Sequence, residues 1–358
     1  TLISWERWMD IRNKVCYRQE KRRLMGKFAE FLKEQNGEKP YRFVALWYND
    51  PSDPDNSEIN ADEIMSAGKS MGLKGFKVDV DGAYSDKIDG KRYIFDRDDN
   101  KFLCDENTIV FVRAAITLRR SWSDIVTQLE KDNIFCVNSR MCMESCADKF
   151  RTYITLAESK IKQPKTVLVN HKEKIPTSFD RLKTKYPVIV KTIAGSLGVG
   201  VIKVENEGAL VSTVQIIDKL EPNLGILVQE FIKTDFDVRV IVIAGKVHGA
   251  IMRPVLKKDF RSNVALGSKP EKFELTELEK NVCEKTAKSV NGLWVGVDFI
   301  TSKNRENEEP YIIEVNSSPG TKGYKDATKT NLVKDVMTTF LNRENWLKIN
   351  PIQSIYEE

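Results

Sequence analysis

Tyr311-Ile312-Ile313-Glu314-Val315-Asn316 reads as a strand that carries a carboxylate and an amide among apolar residues. Strand alternation puts Tyr311, Ile313 and Val315 on one face and Ile312, Glu314 and Asn316 on the other. Glu314 and Asn316 then project together with Cα atoms about 7 Å apart, close enough to share one cation or an adjacent pair. Upstream, Val295-Gly296-Val297-Asp298-Phe299-Ile300 sets Asp298 where a buried strand would prefer Val or Ile. An unpartnered carboxylate there would be costly to bury. Three oxygen donors without His or Cys suit a hard cation, Mg²⁺ or Mn²⁺, held jointly with phosphate groups. The plainer reading is three polar residues at strand ends or in salt bridges.

Three further stretches precede this one. In Val188-Ile189-Val190-Lys191-Thr192-Ile193-Ala194-Gly195-Ser196-Leu197-Gly198-Val199-Gly200-Val201, a strand ends in a lysine and a glycine-rich loop leads into another strand. Backbone N–H groups at Gly195, Ser196, Gly198 and Gly200 can approach phosphate oxygens closely, and Lys191 adds a point charge. A strand follows the glycines, so this is neither a Walker loop nor a dinucleotide fingerprint; alone it would pass for a hairpin turn. Leu227-Val228-Gln229-Glu230-Phe231-Ile232, followed by Asp237-Val238-Arg239, can act as a hinge that offers backbone groups to an adenine edge, with Asp237 toward ribose. Its alternative is a core strand and a turn. Arg253, Arg261, Ser262 and Asn263 place two guanidinium groups and an amide between strands. They could neutralise a transferring phosphoryl group or hold a substrate carboxylate.

The remaining chain frames these stretches. At 358 residues it exceeds one ordinary core and fits two or three packed lobes. Residues 3–35 have helical spacing among many charges, and the first 40 residues hold ten Lys/Arg against six Asp/Glu, most of the net +5. A docked, solvated helix is preferred there over a nucleic-acid arm. Strands are expected at Tyr41–Tyr48, Phe76–Val80, Ile109–Arg113 and Ile134–Val137, with a Pro-rich loop over Asn49–Ser57 and helices over Ile59–Met71 and Trp122–Lys131. This βαβ texture predicts a parallel sheet over 41–147. From Lys149 onward come a helix near 149–160, strands at 166–169, 188–191, 200–204, 226–230, 238–243, 247–252, 296–300 and 311–315, and helices at 208–220, 276–290 and 328–341. The charged run Ser302–Glu309 reads as a loop.

The six cysteines are irregularly spaced, which predicts free thiols in a reducing compartment; Cys142 and Cys146 lack the His or Cys partners of a zinc site. No window holds eighteen apolar residues and the start, Thr1 to Glu6, has no apolar leader, so a cytoplasmic protein is expected, although the missing initiator Met could hide a trimmed segment.

In this order and spacing the four stretches resemble the ATP-grasp superfamily and, within it, the RimK-type alpha-L-glutamate ligases. The resemblance runs over about 108–341, is weak over 41–107 and absent over 1–40. It implies an α/β (α+β) ATP-grasp fold with a preceding small α/β lobe and an N-terminal helical extension. The divisions would be 1–40 (basic helical extension), 41–147 (pre-ATP-grasp lobe), 148–220 (small subdomain with the glycine loop), 221–345 (large subdomain with the metal site) and 346–358 (tail). It further implies Lys149 and Lys191 as phosphate-contacting lysines, and Glu230, Phe231 and Asp237 as adenine and ribose contacts. Arg253 would be a substrate-side arginine, Arg261-Ser262-Asn263 the motif around the γ-phosphate, and Asp298, Glu314 and Asn316 the metal triad for two Mg²⁺ (or Mn²⁺) ions. ATP, an amino-acid donor (glutamate by resemblance) and a protein or peptide acceptor follow, with a homo-oligomer possible and neither membrane nor nucleic acid expected. Alternatives are a ligase for a small metabolite or cofactor, a non-catalytic ATP-binding regulatory module, and a nucleic-acid ligase. The first would need no docking extension, the second would have lost a metal ligand or lysine, and the third would need a KxDG-type lysine motif. The Pro-rich loop after the first strand and the insertion at 302–309 depart from the family pattern.

Overall fold

The computed structural model describes residues 42–47, 54–113, 123–169, 171–193, 200–220, 225–255, 269–342 and 345. The expected N-terminal helix, the tail after 346 and Cys16 lie outside these residues.

Strand β1 (Arg42–Trp47) is apolar and buried along its middle, as a strand covered on both faces of a parallel sheet must be. It pairs in parallel with β2 (Lys74–Asp79) and β6 (Thr108–Arg113), and β6 pairs in parallel with β7 (Phe135–Val137). Helix α1 (Pro54–Ser70) makes the β1–β2 crossover. It starts earlier than the expected Ile59, so the Pro-rich loop ends sooner. Proline suits a first helical turn, where its missing N–H would have had no helical acceptor. Between β2 and β6 the structure adds an unexpected antiparallel meander, β3 (Tyr84–Ile88), β4 (Lys91–Phe95) and β5 (Lys101–Cys104). Asp89 and Gly90, both at positive φ, form the two-residue turn between its first strands.

Helices α2 (Ser123–Lys131), α3 (Arg140–Ala147) and α4 (Lys149–Glu158) lead to a second sheet. Its antiparallel order is β10 (Val201–Val204), β9 (Val188–Thr192), β11 (Ile226–Glu230), β8 (Thr166–Val169). Helices α5 (Ile175–Leu182) and α6 (Glu207–Leu220) belong to the same unit, and Ile175, Leu182, Leu210 and Val214 share its core with Val188, Val190 and Val228.

The third sheet is antiparallel, in the order β14 (Glu271–Phe273), β13 (Lys246–Pro254), β12 (Phe236–Ile243), β15 (Trp294–Ile300), β16 (Tyr311–Asn316). Helix α7 (Glu277–Ser289), opened by a Thr276–Glu279 capping box, covers one face. Val238, Val240, Val242, Val295, Val297 and Phe299 pack there with Val282, Cys283 and Ala287. A short helix not expected from the sequence, α8 (Lys322–Thr328), precedes α9 (Leu332–Leu341), which is the helix expected over 328–341 with a later start. Lys329 turns left-handed at φ 60° and ends the first, and the Asn331 side chain caps the second by accepting from the Lys334 N–H. On the opposite face of the sheet Ile241, Ile243 and Trp294 join Phe43 and Phe111 of the first sheet and Val336 and Phe340 of α9. That shared core ties the first and third sheets together.

The five described cysteines are free, and all but Cys146 are buried. Among the described residues, no helix is long and apolar enough to cross a membrane.

Candidate functional site

The face of the third sheet that buries Ile241 and Trp294 turns polar toward its other end. Register places Arg239 opposite Asp298 and Asp298 opposite Glu314, a row across β12, β15 and β16. In the next row Asp237 stands opposite Arg253. Asp298 is 2% exposed, so its charge must be met inside the protein. Two arginines meet it. Arg239 donates from Nε to Oδ1 and from Nη2 to Oδ2, both at 2.7 Å, and Arg253 donates from Nη2 to Oδ2 at 2.8 Å. Burial alone would raise the Asp298 carboxyl, but the two guanidinium groups outweigh it and hold the group down at about 2. Asn316 approaches the same oxygen, with Nδ2 at 3.5 Å.

Strand alternation placed Glu314 and Asn316 correctly but not Ile312. The β15–β16 register shifts between Asp298 and Phe299, so Phe299 pairs with Ile312 and Ile313 is the extra residue of a bulge. Ile312 therefore joins Val315 in the core beside α7, while Glu314 and Asn316 keep to the polar face.

Two of the expected site residues, Asp237 and Arg253, engage each other. Asp237 is 7% exposed and accepts two 2.7 Å hydrogen bonds from Nε and Nη2 of Arg253, so its carboxylate is turned inward rather than toward a ribose. Arg253, 4% exposed, braces Asp237 and Asp298 together. Burial works against its charge, yet the two carboxylates raise its pKa above the usual arginine range. Arg239, to which the sequence reading gave no role, is the bidentate partner of Asp298. The signal was present: two residues beyond Asp237 in one strand, it had to share that residue's face.

Lys191 is the penultimate residue of β9 in the second sheet. Burial pulls its ammonium down to about 8, against the favourable charge of Glu314 and with the unfavourable charge of Lys149. These couplings place Lys191, Lys149 and Glu314 within electrostatic reach across the space between the second and third sheets. Lys149 is brought there by the start of α4, where its N–H donates to the Ile193 carbonyl at 3.2 Å and Asp148 caps the helix through Phe150 and Arg151. Past Lys191 the strands form a hairpin stem, with Val201 opposite Lys191 and the Thr192 N–H donating to Gly200 O at 3.2 Å. Gly200 sits at φ +76°, and a Cβ there would lie 2.7 Å from Thr192 Oγ1. Gly195, Ser196 and Gly198 lie outside the described residues, as do Arg261, Ser262 and Asn263.

At the hinge, the Glu230 N–H donates to Lys165 O at 2.8 Å, and its carboxylate accepts from the Lys165 N–H at 3.3 Å. The Phe231 ring lies under Lys203, with Nζ 4.8 Å from its centroid. Glu230 thus fastens the hinge to the segment before β8.

Residues 146–340, more than half of the chain, match the family model described as a RimK-like ATP-grasp domain. The chain belongs to the RimK-like ATP-grasp family. A protein of Coxiella burnetii named "Probable alpha-L-glutamate ligase" is 34% identical over 210 residues, 58% of this chain and 67% of that protein. One of the same name from Rhodopirellula baltica is 29% identical over 271 residues, covering 75% of this chain but only 64% of the relative. Among solved structures, the ATP-grasp ligase PsnB complexed with a phosphomimetic variant of its minimal precursor, Mg and ADP superposes at a TM-score of 0.63. That match covers 86% of this chain and 100% of the other at 16% identity, a likeness of fold. The RimK-like ATP-grasp match contains the described site residues from Lys149 to Asn316. The strands β1 to β7 stand outside it.

Proposed function

We propose that the chain is an ATP- and Mg²⁺-dependent carboxylate–amine ligase that adds glutamate to a carboxylate of a protein or peptide. The observation that carries this reading is the pair of opposed charge sets: Lys149 and Lys191 on one side, Asp298 and Glu314 on the other. A triphosphate between them would meet ammonium groups from the second sheet and, from the third, oxygen donors suited to the cation it brings. The donor set fits Mg²⁺. Asp298 is held ionised, Glu314 stands directly opposite it in the register, and Asn316 is close enough to touch it. Magnesium there would neutralise charge on the β- and γ-phosphates. Arg239 and Arg253 fix the orientation of the Asp298 carboxylate.

In the reaction a carboxylate oxygen of the acceptor attacks the γ-phosphorus, the bond to the β-phosphate oxygen breaks, and ADP leaves with that electron pair. The amine of glutamate then attacks the acyl carbon, phosphate departs, and the amine proton passes to solvent or phosphate. The loop between Lys191 and Gly200 would exclude water from the acylphosphate. The names of the relatives support glutamate as donor, and the precursor in the PsnB complex supports a peptide acceptor. We assign the nucleotide to 148–220 and 221–345 and acceptor choice to 41–147.

Phosphate release with ATP, Mg²⁺, each amino acid in turn and cell extract as acceptor source tests this reading. Release should depend on glutamate and fall at least about a hundredfold in Glu314→Ala. Retained turnover in that variant, or none with any amino acid in the wild type, would sink the proposal.

A further inference from the structure

Among the described residues, buried side-chain nitrogens or oxygens without a hydrogen-bond partner occur in two residues that touch: Nε and Nη1 of Arg113 and Nε1 of Trp294. The Arg113 guanidinium carbon lies 4.2 Å from the Trp294 ring centroid. Arg113 is the last residue of β6 and is 3% exposed. Its remaining terminal nitrogen, Nη2, donates to the Pro319 carbonyl at 2.6 Å. Pro319 in turn lies against Gly296, where an added Cβ would come within 3.0 Å of the proline Cβ. The same loop is held from the first sheet by Asn138, which donates from Nδ2 to Ser317 O at 2.6 Å and to Trp294 O at 2.7 Å. The surroundings of the pair are thus fixed from two sheets.

The charge inside is not balanced. Glu63 is the opposing charge that Arg113 feels, and its carboxylate is engaged by Thr321 Oγ1 at 2.7 Å and Lys325 Nζ at 3.3 Å. A buried guanidinium with two donor nitrogens idle is expensive, and stacking on an indole offsets only part of that. A complementary anion would remove the penalty. Trp294, Gly296 and Asp298 alternate along one face of β15, so the pocket lies about 13 Å along the strand from Asp298. The pair is set apart from that carboxylate and is supplied in part by a strand outside the family match.

We propose that Arg113 and Trp294 form a carboxylate-binding pocket for a substrate, distinct from the Asp298–Glu314–Asn316 site. Only the word substrate rests on the ligase reading; the pocket's preference for a carboxylate does not. The carboxylate is either that of the free amino-acid donor or a second one on the acceptor peptide.

Thermal shift of the full chain tests this at fixed ionic strength with L-glutamate, the dipeptide Ala-Glu, acetate and chloride. Wild type, Arg113→Met, Arg113→Lys and Trp294→Phe are compared, and an ADP–Mg²⁺ titration of each reports an intact fold. A shift by glutamate alone assigns the pocket to the donor, and one by the dipeptide alone assigns it to the acceptor. The half-saturating concentration should rise at least tenfold in Arg113→Met and less in the Lys and Phe variants, with ADP affinity unchanged within twofold. Equal carboxylate shifts in wild type and Arg113→Lys, or none in the wild type, overturn the proposal and leave the donors to water. An Arg113-dependent shift without phosphate release sinks the ligase reading alone, and phosphate release with identical shifts in all variants sinks the pocket alone.

Discussion

Arg253 and Arg113 are buried to almost the same degree and could hardly be treated more differently. Arg253 sits between Asp237 and Asp298, accepted by both, and its charge is reinforced beyond the ordinary arginine range. Arg113 has one carbonyl and one indole face, and burial drags its pKa down to about 9. Desolvation acts on both; what differs is whether the chain supplies the counter-charge. A guanidinium the fold completes itself is a brace. One that the fold leaves incomplete still has donors to offer a partner.

Removing the brace is the severest way to break this contrast. Arg253→Met should take the guanidinium from Asp237 and leave Asp298 with Arg239 alone, at a cost of about 3–5 kcal/mol, read as a lowered denaturation midpoint. Adding Asp237→Leu should recover part of it, because the two residues form one network. Arg239→Met removes a partner that is itself partly solvated and leaves Asp298 with Arg253, so about 1–3 kcal/mol is expected. Arg113→Met should run the other way. With no carboxylate to strand, the unliganded protein should be no less stable than wild type in the same denaturation measurement. A loss as large as that of Arg253→Met would show that the two pockets do the same work.

The sequence made the paired pocket half legible and the unpaired one not at all. Asp298 and Glu314 stood out because a charge inside an apolar strand needs a reason, and two-residue periodicity put Glu314 and Asn316 together. The same periodicity misplaced Ile312, since a bulge at Ile313 depends on pairing with β15 and leaves no mark within β16. The pairing of Asp237 with Arg253 was not legible, because the two lie sixteen residues apart on neighbouring strands. The first turn of the meander over 84–104 is legible in Asp89-Gly90, a two-residue hairpin signal. Arg113 ends an unremarkable strand, and its contact with Pro319 spans 206 residues, a separation that no local pattern reaches.

Lys191 is a third, half-buried cation and sharpens the contrast most gently, because it lies between the two extremes. Burial lowers its pKa to about 8, and Glu314 acts on it at a distance without a hydrogen bond described between them. Below that value the ammonium is intact and can meet a phosphate; above it the proton is lost and the attraction with it. Nucleotide affinity should therefore be flat to about pH 7 and weaken by up to about tenfold by pH 9, one decade per unit beyond the pKa. Calorimetric titration with ADP and Mg²⁺ at each pH checks the slope. Lys191→Arg keeps its charge over that range and should bind with a flat profile, whereas Lys191→Met should be flat and weaker throughout. A wild-type profile parallel to that of the arginine variant would mean that the ammonium stays charged beyond pH 9, and that Glu314 completes this site as fully as Asp237 and Asp298 complete theirs.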